Sequence, residues 1–295
     1  MAVEQPFHEG ERAMQARAGV QDEAASLGRG IAAALPAQIG RLLFPFRLAA
    51  AASRDAGGRV WASLLSGAPG FLQPLDEHVL LVHTLGHPAD PLARNVRAQP
   101  AVGLLPIDLA ARRRLRINGH AVVDEDRGLR LTVDQLYANC PQYIHTRRLD
   151  TAEAPSPATG PGEAAGALSP RQQEWIAAAD TFFIASAHPT RGADASHRGG
   201  GPGFVQVRGP GRLRFPDYPG NNMFNTLGNL TVDPRAGLVF PDFARGGTLQ
   251  LTGRATVRWD QDAPQAAVDF DVDAVLEISG GGPRAELLAR APEAP

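Results

Sequence analysis

The stretch "RLRINGHAVV", residues 114–123, occurs again in altered form as "TLQLTGRATV" at residues 248–257, 134 positions later. Other strings repeat in the same order at nearly the same offset: "GAPGF" at 67–71 and "GGPGF" at 200–204, then "PAVGLLPID" at 100–108 and "PRAGLVFPD" at 234–242. Collinear matches at a nearly constant offset are a sign of repeated structure. We therefore interpret the chain as an internal duplication.

Both copies have the pattern of a small β-structure. Short apolar runs, several of them alternating with period two, are separated by turns that contain glycine or proline. One short polar segment in each copy, 90–100 and 222–234, is typical of a helix. This pattern predicts a mainly β fold with flanking helices (α+β) and a small β-barrel in each half.

The same pattern suggests five segments. Residues 1–45 are predicted to be an N-terminal helical segment, and residues 46–149 to be the first copy, closed by a helix at "LRLTVDQLYANC". Residues 150–170, rich in proline, alanine and glycine, are predicted to be a linker. The second copy is expected at 171–278, after a helix N-cap at Ser169, and a loose tail at 279–295.

Composition limits the classes of function. The chain has 295 residues, 43% hydrophobic and 20% charged, and its net charge of -2 gives no reason to expect nucleic acid or an anionic membrane as partner. Cys140 is the only cysteine, for which we expect a packing role, and the N-terminus does not resemble a signal peptide. We expect a cytoplasmic protein. Because the sequence contains no lysine, any phosphate held by a cationic side chain must be held by arginine.

A polar cluster distinguishes the second copy from the first. In "DASHRGGGPGFV", residues 194–205, Ser196 aligns with Ser63, but His197 and Arg198 align with leucines. On a strand, Ser196 and Arg198 point to one face and His197 to the other. A hydroxyl and a guanidinium followed by glycines suit a phosphate. The alternative is a surface arginine on an edge strand.

Two further polar segments admit more than one interpretation. In "PDYPGNNMFNTLGNL", residues 216–230, the amides and hydroxyls could bind the edge of a heterocycle or could serve in turns and helix caps; they belong to Asn221, Asn222, Asn225, Thr226 and Asn229. The arginine run "ARRRLR" at 111–116 is interpreted as a solvated strand face, with an anionic substrate or partner as the alternative.

Together these motifs resemble a known family. "DASHRGGGPGFV", "PDYPGNNMFNTLGNL", "PRAGLVFPDF" and "LQLTGRA" are similar to the FMN-binding split-barrel proteins related to pyridoxamine 5'-phosphate oxidase. "FHEGERAMQARAG", "RRRLRING" and "NCPQYI" resemble a two-copy branch of it, some members of which are fused to a ferredoxin-reductase module. The resemblance implies tandem split β-barrels with FMN at their interface.

The resemblance also implies site residues. Ser196 and Arg198 would hold the FMN phosphate, with Asn222, Thr226 and Asn229 near the phosphate or the ring. The full set of residues expected to bind the cofactor is Ser196, His197, Arg198, Gly199, Asn221, Asn222, Thr226 and Asn229. By proximity alone, His197 and Tyr218 are candidates for proton transfer.

Two functions follow as hypotheses. The first is an FMN-dependent oxidoreductase that acts on a small-molecule substrate and takes electrons from NAD(P)H or a separate reductase, with a homodimer left open. The alternative is a non-catalytic protein that carries or senses a flavin, a haem or another cofactor. No metal site is expected, because His83 and His87 lie in a Gly/Pro-containing segment without a completing acid.

Overall fold

The computed structural model describes residues 5–150, 164–259 and 266–292. Within them the first half forms α1 (Glu9–Ala18), α2 (Gln21–Gly28), α3 (Ile39–Leu43), β1 (Leu48–Arg54), β2 (Val60–Ser66), β3 (Leu72–Pro74), β4 (Val79–Val82), α4 (Leu92–Ala98), β5 (Ala101–Asp108), β6 (Arg113–Asp124), β7 (Gly128–Ala138) and β8 (Thr146–Leu149). The second half forms β9 (Ala164–Ala165), α5 (Pro170–Ala178), β10 (Thr181–His188), β11 (Gly192–Gly199), β12 (Gln206–Val207), β13 (Arg212–Pro216), α6 (Asn225–Val232), β14 (Arg235–Asp242), β15 (Gly247–Arg258), β16 (Ala267–Ile278) and β17 (Ala285–Ala289).

Two antiparallel sheets repeat the same strand order. The first runs β2-β1-β5-β6-β7-β4-β3, and the second runs β11-β10-β14-β15-β16-β13-β12, with β9 paired to β16. The orders coincide when β1 is matched with β10, so the repeat in the sequence is also a repeat in the structure. The fold is mainly β with flanking helices, and its halves are tandem split barrels, as the sequence predicted.

The barrels have separate cores and a third apolar layer between them. Leu104 and Ile117 lie in the first core, and Phe182 and Phe240 in the second. Phe183 belongs to the layer shared by the barrels, together with Leu48, Leu105, Ile107, Ile144 and Val239. Because β1 and β10 alternate between a barrel core and this shared layer, both faces of each strand are buried.

Two equivalent glycines let the barrels approach each other at the backbone. A Cβ on Gly103 would lie 2.4 Å from the carbonyl oxygen of Ala193, and a Cβ on Gly237 would lie 2.7 Å from the Cα of Trp61. Any side chain at either position would push the barrels apart. The glycines are therefore needed for the close interface on which the site described below depends.

The helix predicted at residues 129–140 is wrong, because this segment forms β7. Leu129, Leu131 and Val133 are buried, whereas Arg130 and Asp134 are exposed. This alternation has the period of a strand with one face in a core. The strand is held between β6 and β4, and these partners are not visible in a local sequence window.

The ends of the chain also differ from expectation. The N-terminal helical segment is three short helices, the first of which ends at Gly19 in the left-handed region, with φ 70°. The prediction of a loose tail is wrong over β17. This strand pairs with β8 and so joins the ends of the two copies. The predicted linker lies mostly outside the described residues, but Ser169 caps α5 as expected. None of the described helices is long and apolar enough to cross a membrane.

Candidate binding site between the barrels

A cavity of about 310 Å³ lies between the two barrels, and both copies contribute to its walls. Arg114 and Arg116 reach it from β6 of the first copy. The second copy supplies the end of β11, the loop after β13 and the start of α6; these segments contribute Ser196, His197, Arg198, Asp217, Tyr218, Asn221, Asn222, Asn225 and Thr226. The volume suits a small-molecule ligand.

Arg116 is the buried centre of the polar wall. It is 4% exposed. One terminal nitrogen donates to the hydroxyl of Tyr137 at 3.1 Å and to Asn225 Oδ1 at 2.7 Å, and the other donates to Ser196 Oγ. Asp194 Oδ1 lies 3.4 Å from the guanidinium. Asp194 thus offsets the charge of Arg116, and the hydrogen bonds of Arg116 hold groups from both barrels in place.

Arg114 has a different environment, because its side-chain hydrogen bond within the described residues is to the imidazole of His197. Its terminal nitrogen lies 3.0 Å from His197 Nδ1, and since a guanidinium only donates, Nδ1 accepts and the imidazole proton resides on Nε2. Burial and the charge of Arg114 lower the pKa of His197 well below its ordinary value. Burial and the neighbouring Arg116 and Arg198 lower the pKa of Arg114 to about 10.

The cavity has an excess of hydrogen-bond donors. Arg198 is paired with Asp217 at 2.9 Å, and burial raises the pKa of that carboxyl although Arg198 opposes the shift. No carboxylate of the described residues lies within ion-pair distance of Arg114. Buried nitrogens without a hydrogen-bond partner in the described part of the chain include Nε of Arg114, Arg116 and Arg198, and Nε2 of His197. A set of donors with so few acceptors fits an anionic ligand.

Most residues predicted for the site come together at the cavity. Ser196, His197, Arg198, Asn221, Asn222 and Thr226 all line it. Thr226 donates to Ser196 Oγ at 3.0 Å, and Asn221 donates to Asn139 at 2.7 Å. Gly199 lines a smaller neighbouring cavity of about 40 Å³. Asn222 adopts φ 57°, a left-handed turn conformation.

Asn229 is placed elsewhere. It is 1% exposed and does not line either cavity. Its amide nitrogen donates to Ser186 Oγ at 3.0 Å and to Asp194 Oδ2 at 2.9 Å, and its Oδ1 lies 2.9 Å from His8 Nε2. All its hydrogen-bonding capacity is used within the protein, so its contribution to the site is through Asp194.

The interpretation of "ARRRLR" as a solvated face is wrong for two of its arginines. Arg113 is exposed, but Arg114 and Arg116 point into the interface. Their spacing of two residues on a strand was the available signal. What the sequence could not show is that the partner on that face is the other copy's β11.

A family model described as Pyridoxamine 5'-phosphate oxidase matches residues 168–291, so the second barrel resembles that family. No curated protein matches the chain.

Three similar solved structures each cover about two fifths of this chain. HupZ of Group A Streptococcus is 9% identical, with a TM-score of 0.32, and covers 42% of this chain and 98% of its own. A Clostridium acetobutylicum protein related to general stress protein 26 (pyridoxinephosphate oxidase family) is 11% identical, with a TM-score of 0.30, over 40% and 92%. HutZ, the heme storage protein from Vibrio cholerae, is 13% identical, with a TM-score of 0.29, over 39% and 96%.

Proposed function

We propose that the cavity between the barrels binds FMN and that the protein is an FMN-dependent oxidoreductase. The observation that carries the proposal is the cationic wall of the cavity, because Arg114, Arg116 and Arg198 line it and no carboxylate of the described residues pairs with Arg114. Guanidinium donors are costly to bury unless a partner accepts from them. A phosphate monoester offers acceptor oxygens and the negative charge that Arg114 lacks nearby.

The residues present fit a phosphate-bearing flavin. Arg114 and Arg198 would hold the phosphate, because a guanidinium donates two parallel hydrogen bonds to an oxyanion. The hydroxyls of Ser196 and Thr226 stand beside them. The amides of Asn221 and Asn222 add neutral donors and acceptors for a heterocycle. Bound FMN would supply the transfer of electrons or hydride, and the protein would bind and orient it.

The proton-holding groups at the cavity are few. His197 stays neutral at pH 7 with its proton on Nε2, so it is suited to donate a hydrogen bond rather than to act as a base. Burial raises the pKa of Tyr218, which therefore also keeps its proton. We propose that these groups orient the ligand and a small-molecule substrate.

A titration with FMN and riboflavin tests the binding. Purified protein is titrated with each compound and followed by its visible spectrum and by gel filtration. Arg114→Ala and Arg198→Ala should each weaken FMN by about 1.5–3 kcal/mol, the loss expected for a charged hydrogen bond. Arg113→Ala, next to Arg114 but exposed, is the matched control and should bind like the native protein. Equal affinity for FMN and riboflavin would exclude a phosphate site.

The same preparation separates catalysis from carriage. Reduction of the bound flavin by NAD(P)H, directly or through an added reductase, and its reoxidation by a substrate would support the oxidoreductase. A flavin that is retained but never reduced would support a carrier. If the protein binds no flavin but gives a haem spectrum on titration with haem, haem would replace FMN as the proposed cofactor.

A further inference from the structure

The N-terminal helix α1 lies outside both sheets and packs against α6, the helix at the cavity. The two helices touch at glycines: a Cβ on Gly10 would lie 2.3 Å from the carbonyl oxygen of Gly228, and a Cβ on Gly228 would lie 2.6 Å from Glu11. This close approach places the side chain of Glu11 beneath the start of α6.

Both carboxylate oxygens of Glu11 are used. The residue is 3% exposed. Its Oε1 accepts from the side-chain amide of Asn225 at 2.5 Å, and its Oε2 accepts from the backbone N–H of His8 at 2.8 Å, which closes the capping box of α1. Glu11 thus links the helix N-terminus to a residue of the cavity wall.

The link continues through Asn225 to the buried arginine. Because the amide nitrogen of Asn225 faces Glu11, its Oδ1 must face Arg116, and it accepts from that guanidinium at 2.7 Å. The other side of the guanidinium holds Ser196 Oγ. If Asn225 turned over, two N–H groups would face each other and Arg116 would lose an acceptor.

Glu11 is also placed to carry a charge that varies near neutral pH. The charged and titratable groups that face it are His8 on α1, Asp194 on β11, Arg116 on β6 and Tyr137 on β7. Burial, aided by Asp194, raises the pKa of Glu11 to about 7. When Glu11 is ionised, its negative charge offsets the positive charge of Arg116 and weakens the attraction of Arg116 for an anion. When Glu11 is protonated, that attraction is restored.

We infer that Glu11 is a positioning residue, which holds Arg116 and Ser196 at the cavity through Asn225 and whose protonation strengthens anion binding. The inference rests on the proposed function, since it assigns the control of affinity at the same site. By linkage, an anion that enters the cavity would in turn favour protonation of Glu11.

FMN affinity measured from pH 5.5 to 8.5 tests this inference with three proteins: native, Glu11→Gln and Glu11→Ala. Glu11→Gln cannot ionise, and its single side-chain oxygen is placed to accept from Asn225 while the N–H of His8 loses its side-chain acceptor. It should bind FMN more tightly than native above pH 7 by roughly 3- to 10-fold, the effect of one buried charge nearby. The ratio should approach one at pH 5.5. The phosphate of FMN also titrates, near pH 6, but it affects all variants and cancels in the ratio.

Glu11→Ala should bind FMN more weakly than Glu11→Gln at every pH, because neither variant carries the charge but only glutamine can orient Asn225. Glu23→Gln, an exposed acid on α2, is the control for a change in net charge. A pH-independent ratio between native and Glu11→Gln, or equal binding by Glu11→Ala and Glu11→Gln, would overturn the inference. If the native protein binds no FMN, the proposed function fails, and sulfate titrated against the fluorescence of Trp259 at the cavity tests Glu11 separately with the same two criteria.

Discussion

The interface between the barrels contains the same structural position twice, and one of the two lines the cavity of about 310 Å³. At the second copy, Ser196 lies beside the buried Arg116 of the first copy. At the equivalent position of the first copy, Ser63 occupies the place of Ser196 and Gln250 of the second copy occupies the place of Arg116. The strands and their registers are alike, so the difference lies in the side chains.

The side chains of the first position bond to one another, although Gln250 Oε1 has no partner among the described residues. Ser63 Oγ donates to Asp90 Oδ1 at 2.6 Å, and the amide of Gln250 donates to Asp90 Oδ2. Trp61, 1% exposed, fills the place that Asp194 takes in the second copy. Burial raises the pKa of Asp90, although its hydrogen bonds oppose the shift. Within the described residues, this closed network contains no cation, and its donors bond to Asp90.

The fold therefore contains two equivalent positions at the interface, and their side chains decide which of the two is suited to a ligand. A bound anion needs donors and positive charge at the cavity wall, and these come from Arg114, Arg116, Arg198 and His197. The first copy contributes two of these arginines, Arg114 and Arg116. It therefore forms part of the wall of the site, although the equivalent position around Ser63 is closed.

One ligand per chain is the first expectation from this difference. A titration of native protein with FMN, followed by absorbance and corrected for active protein, should saturate at one FMN per chain, because the Ser63 position is filled. Saturation at two per chain would show that the closed network opens in solution. No saturation at all would contradict the proposed function rather than the asymmetry.

Arg116→Gln should have the largest effect on stability, because it gives the second position the residue of the first. The substitution leaves the carboxylates of Asp194 and Glu11 buried without their cation, and breaking a buried ion pair from one side costs about 3–5 kcal/mol. Urea unfolding measures the free energy of unfolding, and Arg113→Gln, exposed on the same strand, should change it by less than about 0.5 kcal/mol. A native-like stability for Arg116→Gln would mean that its acids find other partners.

A smaller effect on the free energy of unfolding, which depends on pH, should come from Glu11. Within the described residues, the first position has no equivalent acid on an N-terminal helix. The pKa of Glu11 is about 7 in the folded protein and about 4.3 in an unfolded chain. Between these values the folded state binds one more proton, so stability is greatest below about pH 4.3 and falls as the pH rises towards 7. The loss amounts to about 3 kcal/mol.

The test compares unfolding free energies of native protein and Glu11→Gln from pH 4.5 to 9. The native value should fall relative to that of the variant, and the difference should level off above about pH 8. A constant difference across this range would show that Glu11 does not titrate in the folded state.

The sequence predicted the part of the site that depends on local pattern. The internal repeat revealed that Ser196 has an equivalent whereas His197 and Arg198 do not, and all three line the cavity. Period-two alternation placed most strands. It failed at β7, where a segment rich in leucine was interpreted as a helix, because the pairing with β4 and β6 comes from distant parts of the chain.

The rest of the site depends on contacts between the halves. Arg114 and Arg116 were interpreted as solvated, since nothing in their segment shows that β11 covers that face. Glu11 could not be recognised, because it reaches the cavity through Asn225, 214 positions away. Asn229 was expected at the cofactor, but an asparagine that binds a ligand and one that binds a serine look the same in a sequence.

Asn229 and its equivalent Asn95 allow the finest comparison of the two copies. Asn95 donates to Ser53 at 3.0 Å, as Asn229 does to Ser186, so this bond belongs to the shared fold. Asn95 Oδ1 has no partner among the described residues, whereas Asn229 also bonds Asp194 and His8. Asn95→Ala should therefore cost about 1 kcal/mol, and Asn229→Ala about 2 kcal/mol more, because it breaks two further bonds, one to a carboxylate.

Thermal and urea unfolding of the two alanine variants measure this difference directly. If both variants lose the same stability, the bonds of Asn229 to Asp194 and His8 contribute nothing, and α1 is held by its other contacts, among them the glycine contact with α6 and the bond between Glu11 and Asn225. If only Asn229→Ala also weakens FMN, the cause is the loss of its hold on Asp194, which stands 3.4 Å from the Arg116 guanidinium. Asn95→Ala should leave FMN affinity unchanged, because the position that it supports is the closed one.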